Sequence, residues 1–100
     1  MNLRVAMDLG RRLEALLELA EQLGIEIRVE SMGGSGGGLC RLKGRSVLFV
    51  DTAADLATRY DRVLAAVAGL EGIDGHYLLP EVRQDLERQR QSAARGMQGS

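Results

Sequence analysis

Apolar residues recur at spacings of three and four near the start of the chain, which is the pattern of a helix with one buried face. The repeat is formed by Leu9, Leu13, Leu16, Leu17, Ala20 and Leu23. Gly24 follows where a left-handed C-terminal cap is favoured, and Ile25 can fold back over the last turn. In a helix that began at Asp8, Arg11 and Arg12 would lie near the N-terminus, where the helix dipole disfavours basic side chains. A start near Asn2 is therefore favoured. The pattern predicts a helix from about Asn2 to Leu23.

The next segment alternates between apolar and charged residues. Ile25, Ile27 and Val29 take every second position, and Glu26, Arg28 and Glu30 lie between them. Period-two alternation is typical of a strand with one buried face and one face in solvent. We therefore expect a strand here with its three apolar residues buried.

Two further segments have the pattern of a β-hairpin. Leu39 to Lys43 and Ser46 to Asp51 flank a turn around Gly44. The residues from Val47 to Val50 are all apolar, so both faces of this strand are expected to be covered. That pattern predicts a central strand.

Two more helices follow the hairpin. Thr52, with Asp55 three residues later, resembles a capping box and predicts the start of the second helix, which Gly69 ends. Its apolar face would consist of Leu56, Tyr60, Val63, Leu64 and Val67. Pro80 predicts the start of a polar third helix, with Val82 and Leu86 as its only apolar stripe.

Together these elements predict the α+β class, in the order α-β-β-β-α-α. A small three-stranded, mainly antiparallel sheet would pack against the amphipathic helices. A chain of 100 residues has the usual size of one domain. We assign residues 1–91 to that domain and residues 92–100 to a flexible C-terminal tail.

Composition excludes several classes of protein. The balance of 13 basic and 14 acidic residues, with only three aromatic ones, argues against nucleic acid binding. No apolar stretch approaches the length of a membrane helix, and no signal peptide is recognisable, so we expect a cytoplasmic protein that does not bind membranes. The single cysteine, Cys40, fits a reducing compartment.

The run from Gly33 to Gly38 is the most unusual feature of the sequence. It consists of Gly33, Gly34, Ser35, Gly36, Gly37 and Gly38, and we predict a loop because it has almost no side chain to pack. Glycine-rich loops hold phosphates where backbone N–H groups converge and the loop leads into a helix, whereas this one leads into a strand. Three interpretations are open: a flexible connection, a backbone lying against a neighbouring surface, or a small-ligand or anion site that includes Cys40.

Few residues could carry catalysis. Cys40 would need His76 as its base, and its place in a strand predicts a small buried core residue instead. Asp51 and Asp55 flank the end of the predicted central strand, where helix capping explains both. One cysteine and one histidine do not make a structural zinc site. We assign no catalytic residue, metal or cofactor, and expect a protein that is not an enzyme, without excluding one.

From Leu23 to Leu70 the order of elements resembles the N-terminal part of the IrrE/ImmA-type zinc metallopeptidases. In that family the active-site helix has an arginine before an alanine and the HExxH motif, and Arg59 and Ala65 occupy similar places, as do Leu64 and Gly69. The zinc motif itself is absent. Its two histidines and glutamate are replaced by Ala66, Val67 and Leu70. The resemblance implies a shortened, catalytically inactive relative, and no functional residue is carried over.

The resulting functional prediction is a non-catalytic protein-interaction domain. A small sheet with a fully apolar strand needs cover on both faces, and two amphipathic helices leave part of that cover to another molecule. A protein partner or a second copy in a homodimer would supply it. The alternative is a small-ligand or anion-binding domain, conceivably an enzyme, that uses the Gly33 to Gly38 loop.

Overall fold

The computed structural model describes residues 3–98, with side chains for residues 8–95. Its elements are α1 (Leu3–Gln22), β1 (Glu26–Glu30), β2 (Gly37–Leu42), β3 (Arg45–Asp51), α2 (Leu56–Ala68), a single 3₁₀ turn (Ile73–Gly75) and α3 (Pro80–Gln98). This confirms the α+β class and the order α-β-β-β-α-α. None of the helices in the described range is long and apolar enough to cross a membrane.

The three strands form one mixed sheet in the order β1-β3-β2, so β3 is central as predicted. β2 and β3 form the predicted antiparallel hairpin, joined by a two-residue turn in which Lys43 (φ 52°) and Gly44 (φ 80°) both have positive φ. β1 instead pairs with β3 in parallel, with Glu26 opposite Val47. Only one of the two strand pairings is therefore antiparallel.

Both amphipathic helices pack on the side of the sheet that carries Leu48 and Val50. Leu48 and Val50 form one core with buried side chains of both helices: Leu13, Leu16, Leu19, Ala20, Tyr60, Val63, Leu64 and Val67. α3 packs on α1 and α2 and adds Val82 and Leu86, which confirms its predicted apolar stripe. The opposite side of the sheet, with Val47 and Phe49, faces away from this core.

The ends of α1 and α2 show how local sequence sets the helix bounds. Gly24 (φ 84°) donates to the carbonyl oxygen of Glu21 and Ile25 donates to that of Ala20, which is the predicted left-handed cap. At the start of α2, the carboxylate of Asp55 accepts from the Thr58 N–H at 2.8 Å. The capping box predicted at Thr52 is therefore wrong.

The C-terminal helix is longer than the sequence indicates. α3 begins at Pro80, as predicted, and continues to Gln98, through most of the segment expected to be a tail. Its last described side chains, from Gln91 to Arg95, are all exposed. The division at residue 91 and the flexibility of residues 92–100 stay predictions.

Candidate functional site

The glycine run crosses one end of the sheet. β1 and β2 lie on opposite sides of β3 and point in opposite directions, so residues 31–36 must pass over the C-terminal end of β3 to connect them. Asp51 is the last residue of β3 and lies at this crossing. Its side chain is fully buried.

The crossing segment wraps its backbone around the Asp51 carboxylate. Oδ1 accepts hydrogen bonds from the N–H groups of Met32 (2.8 Å) and Ala53 (2.9 Å), and Oδ2 accepts from those of Gly34 (2.7 Å) and Gly36 (3.1 Å). Converging backbone N–H groups are the arrangement by which glycine-rich loops bind anions. Here the anion is a carboxylate of the same chain.

These hydrogen bonds decide the charge of Asp51. Burial alone would raise its pKa, but the four N–H donors stabilise the ionised form and lower the pKa to about 2. The carboxylate is therefore charged at neutral pH, without a cationic side chain as partner. In the described chain, Asp51 makes no ion pair, so backbone dipoles alone compensate its charge.

A consequence for pH follows from the lowered pKa of Asp51. Because it is lower in the folded protein than the ordinary 3.8, this carboxylate adds stability that is complete above about pH 4. We expect that contribution to be lost as the pH falls from about 4 towards 2, measured by thermal unfolding across that range. In Asp51→Asn the same loss should be absent, so equal acid sensitivity of the two proteins would contradict the assignment.

Two of the glycines are required by close contacts. A Cβ at Gly36 (φ 99°) would overlap the Arg62 side chain, and one at Gly37 (φ 92°) would overlap the carbonyl oxygen of Phe49. Gly37 is already part of β2, as is Gly38, so the predicted loop is two residues shorter than expected. The extra strand residues form because, without side chains, the backbone can approach β3 at the crossing.

The structure thus separates the predicted ligand-binding residues. Gly33, Gly34 and Ser35 are exposed in the crossing segment, whereas Gly36, its last residue, is buried. Cys40 lies in β2, beyond the loop.

The prediction that Cys40 is buried is wrong. β2 is an edge strand, and the side chain of Cys40 is on the side of the sheet away from the helical core, where it is exposed. His76 lies in the connection before α3, with its Nδ1 3.0 Å from Gln22 Oε1 of α1. The structure does not bring Cys40 and His76 together, and no group of three His, Cys, Asp or Glu side chains suited to a metal occurs in the described part of the chain.

A buried polar cluster that the sequence analysis missed joins the three helices. Asp85 of α3 accepts hydrogen bonds from the Tyr60 hydroxyl, from Arg12 Nη1 (3.0 Å) and from Arg88. Arg12 Nη2 also pairs with Asp8 at 2.7 Å. A signal for this cluster exists in the sequence, because Asp85 follows Val82 by three residues and so lies on the apolar stripe of α3.

The hydrogen bonds of this cluster have a structural role. Burial and the hydrogen bond to Asp85 raise the pKa of Tyr60, so its phenol stays protonated and donates to the carboxylate. Both carboxylate oxygens of Asp85 are therefore hydrogen-bonded at the junction of α1, α2 and α3.

The side of the sheet opposite the core has an apolar centre. We define the outer face as Cys40, Leu42, Val47 and Phe49, which alternate onto that side of β2 and β3. Val47 is buried by its neighbours and Phe49 is half-buried, but Leu42 is 43% exposed. No helix of the described chain packs on this face, because α1 and α2, which contact the strands, both lie on the side of Leu48 and Val50.

Two apolar residues are exposed on the helical side of the sheet as well. Val29 of β1 is 60% exposed and Leu39 of β2 is 39% exposed, because both lie in edge strands. The prediction that Val29 is buried is wrong. Ile25 and Ile27, nearer to α1, do pack against the core.

Comparisons with protein-family models, curated proteins and solved structures gave no match to this chain. The resemblance to the IrrE/ImmA-type peptidases therefore stays a prediction, and the function must be argued from the geometry alone.

Proposed function

We propose that this protein is a non-catalytic interaction module that self-associates through the outer face. The observation that carries the proposal is an apolar sheet surface with no helix over it within the described chain. Sheets with an apolar central strand are stable when both faces are covered. A second copy stacked on the outer face would remove Leu42 and Phe49 from water.

Charged side chains surround the apolar centre of the outer face. The hairpin turn, with Lys43 and Arg45, lies at one end of the sheet, and Glu30 lies at the other end because β1 is parallel to β3. Glu26 also lies at the hairpin end, with its Oε1 3.8 Å from Nη1 of Arg45, and Arg28 lies between the two glutamates of β1. A second copy stacked on the outer face in a two-fold arrangement would leave these charged side chains at the rim of the interface.

The matched leucines of β2 give a sharp test. We expect Leu42→Lys to abolish self-association, because it replaces an exposed apolar side chain of the stacked faces by a charged one, and Leu39→Lys to leave it unchanged. Both leucines are exposed to a similar extent, 43% and 39%, and they point to opposite sides of the same strand. Sedimentation equilibrium from about 10 µM to 1 mM covers the range expected for a small interface.

The result would be decisive in either direction. A monomer at 1 mM, or equal effects of the two substitutions, would overturn the proposal. Circular dichroism of both variants separates loss of association from loss of folding, because neither leucine belongs to the buried core.

Ligand binding by the Gly33 to Gly38 loop is the alternative function. Three of the N–H groups in the crossing segment, those of Met32, Gly34 and Gly36, already donate to Asp51. An external anion would have to displace that carboxylate or use other donors. We therefore favour the interaction module.

A further inference from the structure

A groove separate from the outer face runs between α1 and the segment that leads into α3. It has a volume of about 280 Å³, and its floor is formed by Ala15 and Leu19 of α1 with Leu78 and Leu79 opposite them. Leu19 and Leu78 are themselves buried, so the floor is continuous with the core. The small side chain of Ala15 leaves the groove open.

The rim of this groove is acidic on one side and aromatic on the other. Glu14 and Glu18 stand one turn apart on α1, and both are exposed. Among the side chains described, neither takes part in an ion pair. Tyr77 lines the opposite rim and is 83% exposed, the most exposed of the large apolar side chains in the described chain.

The geometry points to a docking site for an arginine or lysine side chain of a partner protein. The aliphatic stem of such a side chain would lie on the apolar floor, and its cationic head would reach the carboxylates of Glu14 and Glu18. A tyrosine ring beside a cation adds attraction between the charge and the ring face. This site is independent of self-association, because none of its residues belongs to the sheet.

Charge complementarity selects a cation over the other occupants of an apolar groove. An apolar side chain would cover the floor but would remove water from Glu14 and Glu18 without giving them a partner. An anionic group would meet the two carboxylates, with only Arg11 at the end of the groove to offset them. A basic side chain can cover the apolar floor with its stem and pair with the carboxylates at the rim through its charged end.

The test is an NMR titration of the ¹⁵N-labelled full chain with N-acetyl-arginine amide as the probe. We expect saturable shifts confined to residues around Leu19 and from Tyr77 to Leu79. N-acetyl-norleucine amide, which keeps the stem and lacks the charge, should bind at least about threefold more weakly, as expected for loss of exposed ion pairs. A parallel titration with spermidine tests whether the groove binds a free polyamine instead of a protein side chain.

Variants then assign the binding to the rim. Glu14→Gln with Glu18→Gln should weaken the arginine probe about tenfold, since two ion pairs are lost. Glu21→Gln is the matched control, because Glu21 is also exposed on α1 but does not line the groove. Equal binding of norleucine amide, equal loss in Glu21→Gln, shifts elsewhere, or binding of spermidine alone would each overturn the inference.

Discussion

Replacing Asp51 by alanine is expected to lower the midpoint of thermal unfolding by about 15 °C, because four backbone N–H groups lose the buried carboxylate that is their common acceptor. The effect is large because those donors belong to both sides of the crossing. Met32, Gly34 and Gly36 come from the segment that leaves β1, and Ala53 comes from the segment that leaves β3. Without the carboxylate, nothing else in the described contacts holds these N–H groups.

The experiment has an internal series. Asp51→Asn keeps one oxygen acceptor but turns an NH₂ group towards N–H donors, so its midpoint should lie between those of the alanine variant and the native protein. Asp55→Ala is the control, since Asp55 caps α2 through a single exposed hydrogen bond and should cost only a few degrees. Native-like melting of Asp51→Ala would contradict the role assigned to the carboxylate. If Asp51→Ala does not fold, the unfolding midpoints of Asp51→Asn and Asp55→Ala still show which of the two aspartates contributes more to stability.

Replacing Gly37 by alanine is expected to destabilise the fold by about 3 kcal/mol, because the added Cβ meets a backbone atom that cannot move aside. The atom is the carbonyl oxygen of Phe49, in the central strand. Gly37 also has a φ of 92°, which an alanine adopts only with strain. Relief would require β2 to separate from β3 at Val50, its pairing partner.

Chemical denaturation of Gly37→Ala measures this effect, and Gly10→Ala is its control. Gly10 lies inside α1, has no atom within 4 Å of an added Cβ, and does not have a positive φ. There the same substitution should stabilise the protein by about 0.5–1 kcal/mol, since alanine favours helix. A Gly37→Ala variant as stable as the native protein would show that β2 does not lie as close to β3 as described.

Local patterns in the sequence were sufficient for the elements themselves. The apolar repeat of α1, the cap at Gly24, the Lys43–Gly44 hairpin turn and the start of α3 at Pro80 depend on residues close in sequence. Periodicity and turn chemistry report such short-range preferences directly. The α+β class followed from them.

The sequence could not reveal what the glycine run does, because its partner depends on strand order. A loop between β1 and β2 meets Asp51 only if β3 lies between these strands, which no local pattern states. The same run was therefore compatible with a flexible connection, a close backbone contact or an anion site. In the structure, the N–H groups of Gly34 and Gly36 donate to Asp51 and the backbone of Gly37 lies against Phe49, whereas ligand binding by the run stays a prediction.

The burial of individual side chains was also predicted poorly from the sequence pattern. Cys40 and Val29 have the alternation of buried residues but lie in edge strands, where cover is incomplete. Asp85 has the opposite character, a charged residue placed on the apolar stripe of its helix and paired there by three donors. How much of a side chain is covered depends on elements distant in sequence, which periodicity does not count.

The parallel pairing of β1 with β3 leads us to expect an order of strand pairing during folding, because it is less local than the β2–β3 hairpin. β2 and β3 can join as soon as both exist, since only Lys43 and Gly44 separate them. β1 is made first but has no partner until β3 is in place, and it must then close a loop that contains the whole of β2. We therefore expect the hairpin to form first and β1 to dock on it afterwards, with the hydrogen bonds from Met32, Gly34 and Gly36 to Asp51 forming as β1 docks.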